Sequence, residues 1–103
     1  MEQPGTFELE GKIIAVCEPH SGVSERGHEW MSQEFVLETS EKYPQRVCFS
    51  LNDRNTIEKA HIGVGFFYRV AFAIDAREYK PDRWINVIRA YRVTQIESTL
   101  FDN

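Results

Sequence analysis

From Phe7 onward every second residue is apolar: Phe7, Leu9, Gly11, Ile13, Ala15 and Cys17 share one parity, with Glu8, Glu10 and Lys12 between them. A period of two marks a strand with one face in a core and the other in water. A helix would need apolar positions three and four apart, so this run excludes an all-α fold. Ile14 and Val16 add apolar cover on the second face, and Pro19 ends the run.

The pattern recurs along the chain. Residues 20–29 lack an apolar period and read as a loop. A second strand covers residues 30–39, with Phe35 and Leu37 on one face and Val36 on the other. Residues 41–44 form a turn, and a third strand over residues 46–51 puts Val47, Phe49 and Leu51 on one side. Residues 52–61 are the one candidate helix, with Asn55 as its cap, Glu58 three positions on, and Ile57 and Ala60 facing inward. Phe66, Tyr68, Val70, Phe72 and Ile74 then alternate through a fourth strand, residues 66–77. A polar hairpin loop broken by Pro81 spans residues 78–83.

The last strand, residues 84–95, mixes its parities. Ile85, Val87, Tyr91 and Val93 oppose Ile88 and Ala90, which predicts either two covered faces or a bulge near Arg89. Five strands with one short helix between the third and fourth is the order of an all-β OB-fold, a five-stranded Greek-key barrel. An SH3-like barrel shares much of the pattern, but the helix placement and the long first strand favour the OB-fold. The 103 residues suit a single domain, with a core over about residues 6–96 and a short tail at 97–103.

Composition narrows the function classes. An apolar fraction of 42% is too high for disorder, and no apolar run approaches the roughly 18 residues of a membrane helix. Residues 1–11 are acidic, without a basic start and apolar stretch, so a cytoplasmic protein without a secretory leader is expected. Cys17 and Cys48 lie inside apolar runs and read as two reduced core thiols. The net charge of −4 argues against a strong duplex binder, whose affinity rests on neutralising phosphates.

That charge is unevenly spread. Residues 1–41 hold nine carboxylates against two cations, whereas residues 69–92 hold Arg69, Arg77, Lys80, Arg83, Arg89 and Arg92 against three carboxylates. The acidic third can mate with the basic segment inside the barrel or between copies. Whatever remains unpaired sets the field at one face.

Catalytic chemistry finds no foothold. Cys17 and His20 have the spacing of a metal pair, with His28, Cys48 and His61 as further donors, but no second paired motif exists and both cysteines sit in strands. Residues 22–27 have the glycine spacing of a phosphate loop, yet His28 and Glu29 stand where Lys and Ser or Thr are required. Glu34 and Glu38 share a strand face but lie roughly 13 Å apart by the strand rise. No catalytic residue, metal or cofactor is expected.

An aromatic and basic surface is the remaining candidate. Single strands are held by cationic grooves and by rings on which bases stack. The hairpin between the last two strands carries Arg77, Tyr79, Lys80, Arg83 and Trp84, and the loop after the first strand adds Arg26, His28 and Trp30. Trp30 and Trp84, at strand starts, equally suit half-buried plugs at a barrel end.

The runs GKIIAV (residues 11–16), SGVSERGHEW (21–30), QEFVLET (33–39), YPQRVCF (43–49) and RWINVIRAYRV (83–93) together resemble a short bacterial and phage family known only as a domain of unknown function. The resemblance spans about residues 7–93. It implies an OB-fold related to single-stranded DNA-binding proteins and supplies no catalytic residues. By position it implies a binding surface of Arg26, Trp30, Phe49, Arg77, Tyr79, Lys80, Arg83 and Trp84. Family members often carry lysines where Met31 and Ser32 stand, a Trp near Leu51 and Asn52, and a Trp in place of Tyr91. Each departure removes cation or stacking area.

The reading is a non-catalytic module for single-stranded DNA, with RNA left open. The alternative is a protein-interaction or oligomerisation barrel without nucleic-acid affinity. A homo-oligomer is expected from the edge that an incompletely closed barrel exposes.

Overall fold

A computed structural model describes residues 6–97; residues 1–5 and the tail from 98 to 103 lie outside the described part. Six strands and one helix follow in the order β1 (Thr6–Val16), β2 (His20–Val23), β3 (Glu29–Thr39), β4 (Arg46–Leu51), α1 (Arg54–Ala60), β5 (Phe67–Lys80) and β6 (Arg83–Ile96). The sheet runs β1-β5-β6-β4-β3-β2, and β1 also pairs with β3. Leaving out β2, the strands close as β1-β3-β4-β6-β5-β1, which is the expected OB barrel. β4 and β6 run parallel, through a single bridge between Ser50 and Arg89.

β1 serves two sheets. Its first half pairs with β5 from Thr6↔Ala73 to Lys12↔Phe67, and its second half pairs with β3 from Gly11↔Thr39 to Val16↔Phe35. Gly11 lies in both ladders, opposite Tyr68 and Thr39. A Cβ there would collide with the Glu38 carbonyl oxygen and stand 2.7 Å from Leu37 Cδ2. Glycine is therefore the residue that lets three strands meet at this point.

Past Gly11 a bulge leaves Ile14 without a partner and shifts the register from Ile13↔Leu37 to Ala15↔Val36. The phase of the strand reverses. Val16 now shares the face of its partner Phe35 while staying 38% exposed, and Cys17 shares the face of Glu34, to whose carbonyl its N–H donates at 3.0 Å. The uninterrupted alternation expected to Cys17 thus ends at Ile13. Apolar residues on both parities, Ile14 and Val16, hid the change.

The core joins Ile13, Phe35, Leu37, Phe49, Leu51, Ile57, Tyr68, Val70 and Phe72, with Phe35 and Phe49 stacked at 5.5 Å between centroids. Tyr68 is buried without an orphaned hydroxyl: it accepts from Gly63 N–H at 2.9 Å and donates to the His61 carbonyl at 3.2 Å. That pair ties the exit of α1 to β5. Phe66 and Ile74, expected on the same inward face, are 55% and 46% exposed because they flank the stretch of β5 that the barrel covers.

Four further expectations are corrected. The helix is capped by Asp53, whose carboxylate accepts from Thr56 N–H at 3.0 Å and from its hydroxyl at 2.9 Å, so Asn55 lies inside the first turn. Residues 20–23 form a strand where a loop was expected. Its pairing with residues 29–32 is a backbone matter with no hydropathy signature, closed by Gly27 at φ 84° and by the Ser24 hydroxyl accepting from His28 N–H. The loop expected over residues 78–83 shrinks to Pro81 and Asp82, with Asp82 at φ 64°. Cys48 is exposed on the outer side of β4, not a core thiol, and Cys17 is half-buried. In β6 the mixed parity resolves as a bulge at Tyr91, which puts Ile88 and Ala90 inside before it and Val93 inside after it.

Gly11→Ala is expected to lower stability by about 1–3 kcal/mol, the usual scale of overpacking. Gly27→Ala, in open space, carries only the strain of its positive φ. Urea unfolding of both variants checks this, and an unchanged midpoint for Gly11→Ala would contradict the crowding at the strand junction.

Candidate functional site

Inward residues of β3 and β4 fill the core, so the even positions form an outer face. Cross-strand partners share a face, and Glu34 opposes Ser50 while Val36 opposes Cys48. Ser32 and Asn52 extend that face at one end, and it forms the floor of an open groove of about 670 Å³. His20, paired with Ser32, stands on one side. Arg77, Val87 and Arg89 of the β5–β6 ribbon stand on the other.

The ribbon reaches beyond the barrel. Its last partner in β1 is Ala73, and residues 74–86 are all exposed. Pairing sorts its side chains into two faces. Asp75↔Val87 and Arg77↔Ile85 share the groove side, whereas Ile74↔Ile88, Ala76↔Asn86 and Glu78↔Trp84 share the other. Trp84 is 61% exposed but lies on the ribbon face away from Arg77. Tyr79 is the unpaired residue of a bulge, 54% exposed, and Lys80 and Arg83 flank the turn.

At the far end of the groove floor Trp30 precedes Ser32 on the same parity of β3, about 7 Å away by the strand rise. Its ring lies over Gly22, where a Cβ would come within 2.7 Å of Cζ2. The contact holds the indole in place while leaving it 48% exposed. Arg26 sits in the exposed turn between β2 and β3.

Phe49 does not belong to this surface. It is 2% exposed and stacked on Phe35, as its parity with Val47 and Leu51 requires, so no base can reach it. Of the other expected residues, only Arg77 lines the groove; Trp30 extends its floor, and Tyr79, Lys80 and Arg83 cluster at the ribbon tip. His20, Ser32, Glu34, Ser50, Asn52 and Arg89 line the groove but were not among the residues expected to bind nucleic acid. Small polar residues carry no compositional signal, but the outward parity of the second and third barrel strands would have found four of them.

The charges partition by strand register. Glu8 pairs with Arg92 at 3.4 Å, Glu10 with Arg69 at 2.7 Å and Glu38 with Arg46 at 3.7 Å. Three of the nine carboxylates of residues 1–41 are thereby met within the barrel. Among the described residues no carboxylate lies within salt-bridge distance of Arg77, Lys80, Arg83 or Arg89. No group of three His, Cys, Asp or Glu among the described residues stands close enough to hold a metal ion. No described helix is long and apolar enough to cross a membrane.

Beside the groove, partial burial raises the Cys48 thiol above its usual range, with smaller contributions from Glu34 and Cys17. Its thiolate is scarce at neutral pH. In a Cys17→Ser background, Cys48 should react with iodoacetamide more slowly than free cysteine at pH 8 and gain rate as pH rises further. Labelling as fast as free cysteine at pH 8 would contradict this.

The sheet topology gives residues 6–97 an OB-fold, with an open groove on the outer face of β3 and β4. Residues 8–94 match the family described as Domain of unknown function (DUF3127), and the chain belongs to that family. No curated protein sequence matches it. Among solved structures, the N-terminal domain of PriB protein from Thermoanaerobacter tencongensis, described as dimeric, superposes with a TM-score of 0.69 at 14% identity, covering 93% of this chain and all of that one. Rim1, a mitochondrial single-stranded DNA binding protein of S. cerevisiae, gives 0.67 at 7% identity, with 89% and 95% coverage. The second OB-fold domain of replication protein A from Methanococcus maripaludis gives 0.62 at 12% identity, with 91% and 86% coverage. At such identities the likeness establishes the fold alone.

Proposed function

We propose that the chain is a non-catalytic module that binds single-stranded nucleic acid, DNA in the first instance, along the outer face of β3 and β4. The observation that carries this reading is the groove wall. Arg77 and Arg89 face an open groove and neither is in an ion pair among the described residues, while Arg69 and Arg92 on the same strands are paired with Glu10 and Glu8. A polyanion entering the groove meets cations, and Trp30 offers a ring at its end for a base to stack. The ribbon tip, with Tyr79, Lys80 and Arg83, extends the same surface. Neighbours of this fold include proteins described as single-stranded DNA binding, which supports the reading.

A second reading draws on the ribbon itself. Ile74 and Trp84, on the ribbon face away from the groove, are 46% and 61% exposed, and two-stranded ribbons are marginal in water without cover. A second copy of the chain is the partner proposed for that surface, and it leaves the groove on β3 and β4 accessible. If such contacts are the whole function, nucleic-acid affinity is absent even at low salt.

Fluorescence anisotropy of a labelled single strand separates the two. Trp30→Ala should weaken binding by about 5- to 150-fold, the range for one lost stack, with little change in melting temperature. Arg77→Ala and Arg89→Ala should each reduce the slope of log affinity against log salt by about 0.7. Unchanged affinity in all three variants would remove the groove from the function.

A further inference from the structure

One residue of the groove does not fit a simple phosphate channel. Glu34 stands in the floor, between Ser32 on its own strand and Ser50 directly opposite, with Asn52 beside them. Among the described residues no cation lies within salt-bridge distance of its carboxylate, although His20, Arg77 and Arg89 line the same groove. A carboxylate repels phosphate, so a strand lying here must keep its backbone on the Arg77 and Arg89 wall and turn its bases toward the floor. Beyond Trp30 at its end, the floor residues Ser32, Glu34, Ser50 and Asn52 offer hydroxyls, an amide and the carboxylate. Bases reaching it are read by hydrogen bonds at their edges.

We infer, resting on the single-strand reading above, that Glu34 selects guanine. An ionised carboxylate only accepts hydrogen bonds. Guanine alone among the bases presents two adjacent donors, N1–H and the N2 amino group, on its pairing edge, which matches two carboxylate oxygens. Adenine and cytosine set an acceptor nitrogen beside their single amino group, and thymine flanks its one N–H with two carbonyls, so each places a lone pair against the carboxylate. Charge-assisted bonds of this kind are short and strong. The Asn52 amide and the Ser32 hydroxyl supply donors for guanine O6, while the Ser50 hydroxyl donates to the Ile88 carbonyl at 3.5 Å. The groove is thus a base-selective site on a fold that also supports sequence-blind binding.

The test uses the full chain and labelled dT oligomers, compared with the same oligomers carrying two central guanines or two central inosines. Inosine lacks only the N2 amino group, so it probes the contact without altering the protein. The guanine strand is expected to bind about ten-fold tighter than dT, with inosine losing most of the gain. Glu34→Gln should abolish the preference, bringing the guanine, inosine and dT strands to one affinity. Equal affinity for guanine and thymine strands in the native protein would overturn this inference alone. So would a Glu34→Ala variant that strengthens every strand by one factor, since Glu34 would then be merely repulsive. Failure of every strand to bind at low salt would overturn the parent reading, and this one with it.

Discussion

The barrel depends on one crowded junction, where β1 passes from the β5 ladder to the β3 ladder at Gly11. No side chain fits between that backbone and the Glu38 carbonyl, so the approach of three strands rests on the absence of a Cβ. The bulge at Ile14 follows within one turn of the strand and reverses its phase. Val16 is thereby sent toward Phe35 and the helix end, and Cys17 is sent to the outer face. Closure of the sheet on itself, and hence the groove outside β3 and β4, follows from that bend.

Register also decides which charges are available for function. Arg69 and Glu10 are direct cross-strand partners, and Arg92 reaches Glu8 on the same surface, so the acidic start of the chain is matched by the basic end. Exposed pairs of this kind add little to stability. Their consequence is electrostatic: they leave Arg77 and Arg89 as the cations that face the groove. A chain of net charge −4 can therefore present a locally basic wall, because the field at one face outweighs the total.

Much of the fold was legible because alternation reports burial directly. Phe35 and Leu37, Phe49 and Leu51, and Tyr68 to Phe72 all signalled their core faces, and the mixed parity of the last strand signalled its bulge. The strand over residues 20–23 was not legible, since its bonds are backbone bonds and its side chains are mostly exposed. The site was legible only in part. Bulky rings and arginines attract notice in a sequence, yet Phe49 obeyed its parity and went inside, and Trp84 fell on the reverse of the ribbon. Ser32, Glu34, Ser50 and Asn52 become a site only when two strands pair in a given register, and one sequence does not state that register.

In the proposed complex a single strand lies along the outer face of β3 and β4. Mapping backbone amide shifts by NMR during titration with a short single-stranded DNA, at low and near-physiological salt, tests it most directly. Salt-sensitive shifts are expected at Trp30, Ser32, Glu34, Ser50, Arg77 and Arg89, with α1 and the outer face of β1 unmoved. Shifts confined to α1 or to the β1 and β5 surface would contradict it, as would a spectrum that does not change at low salt.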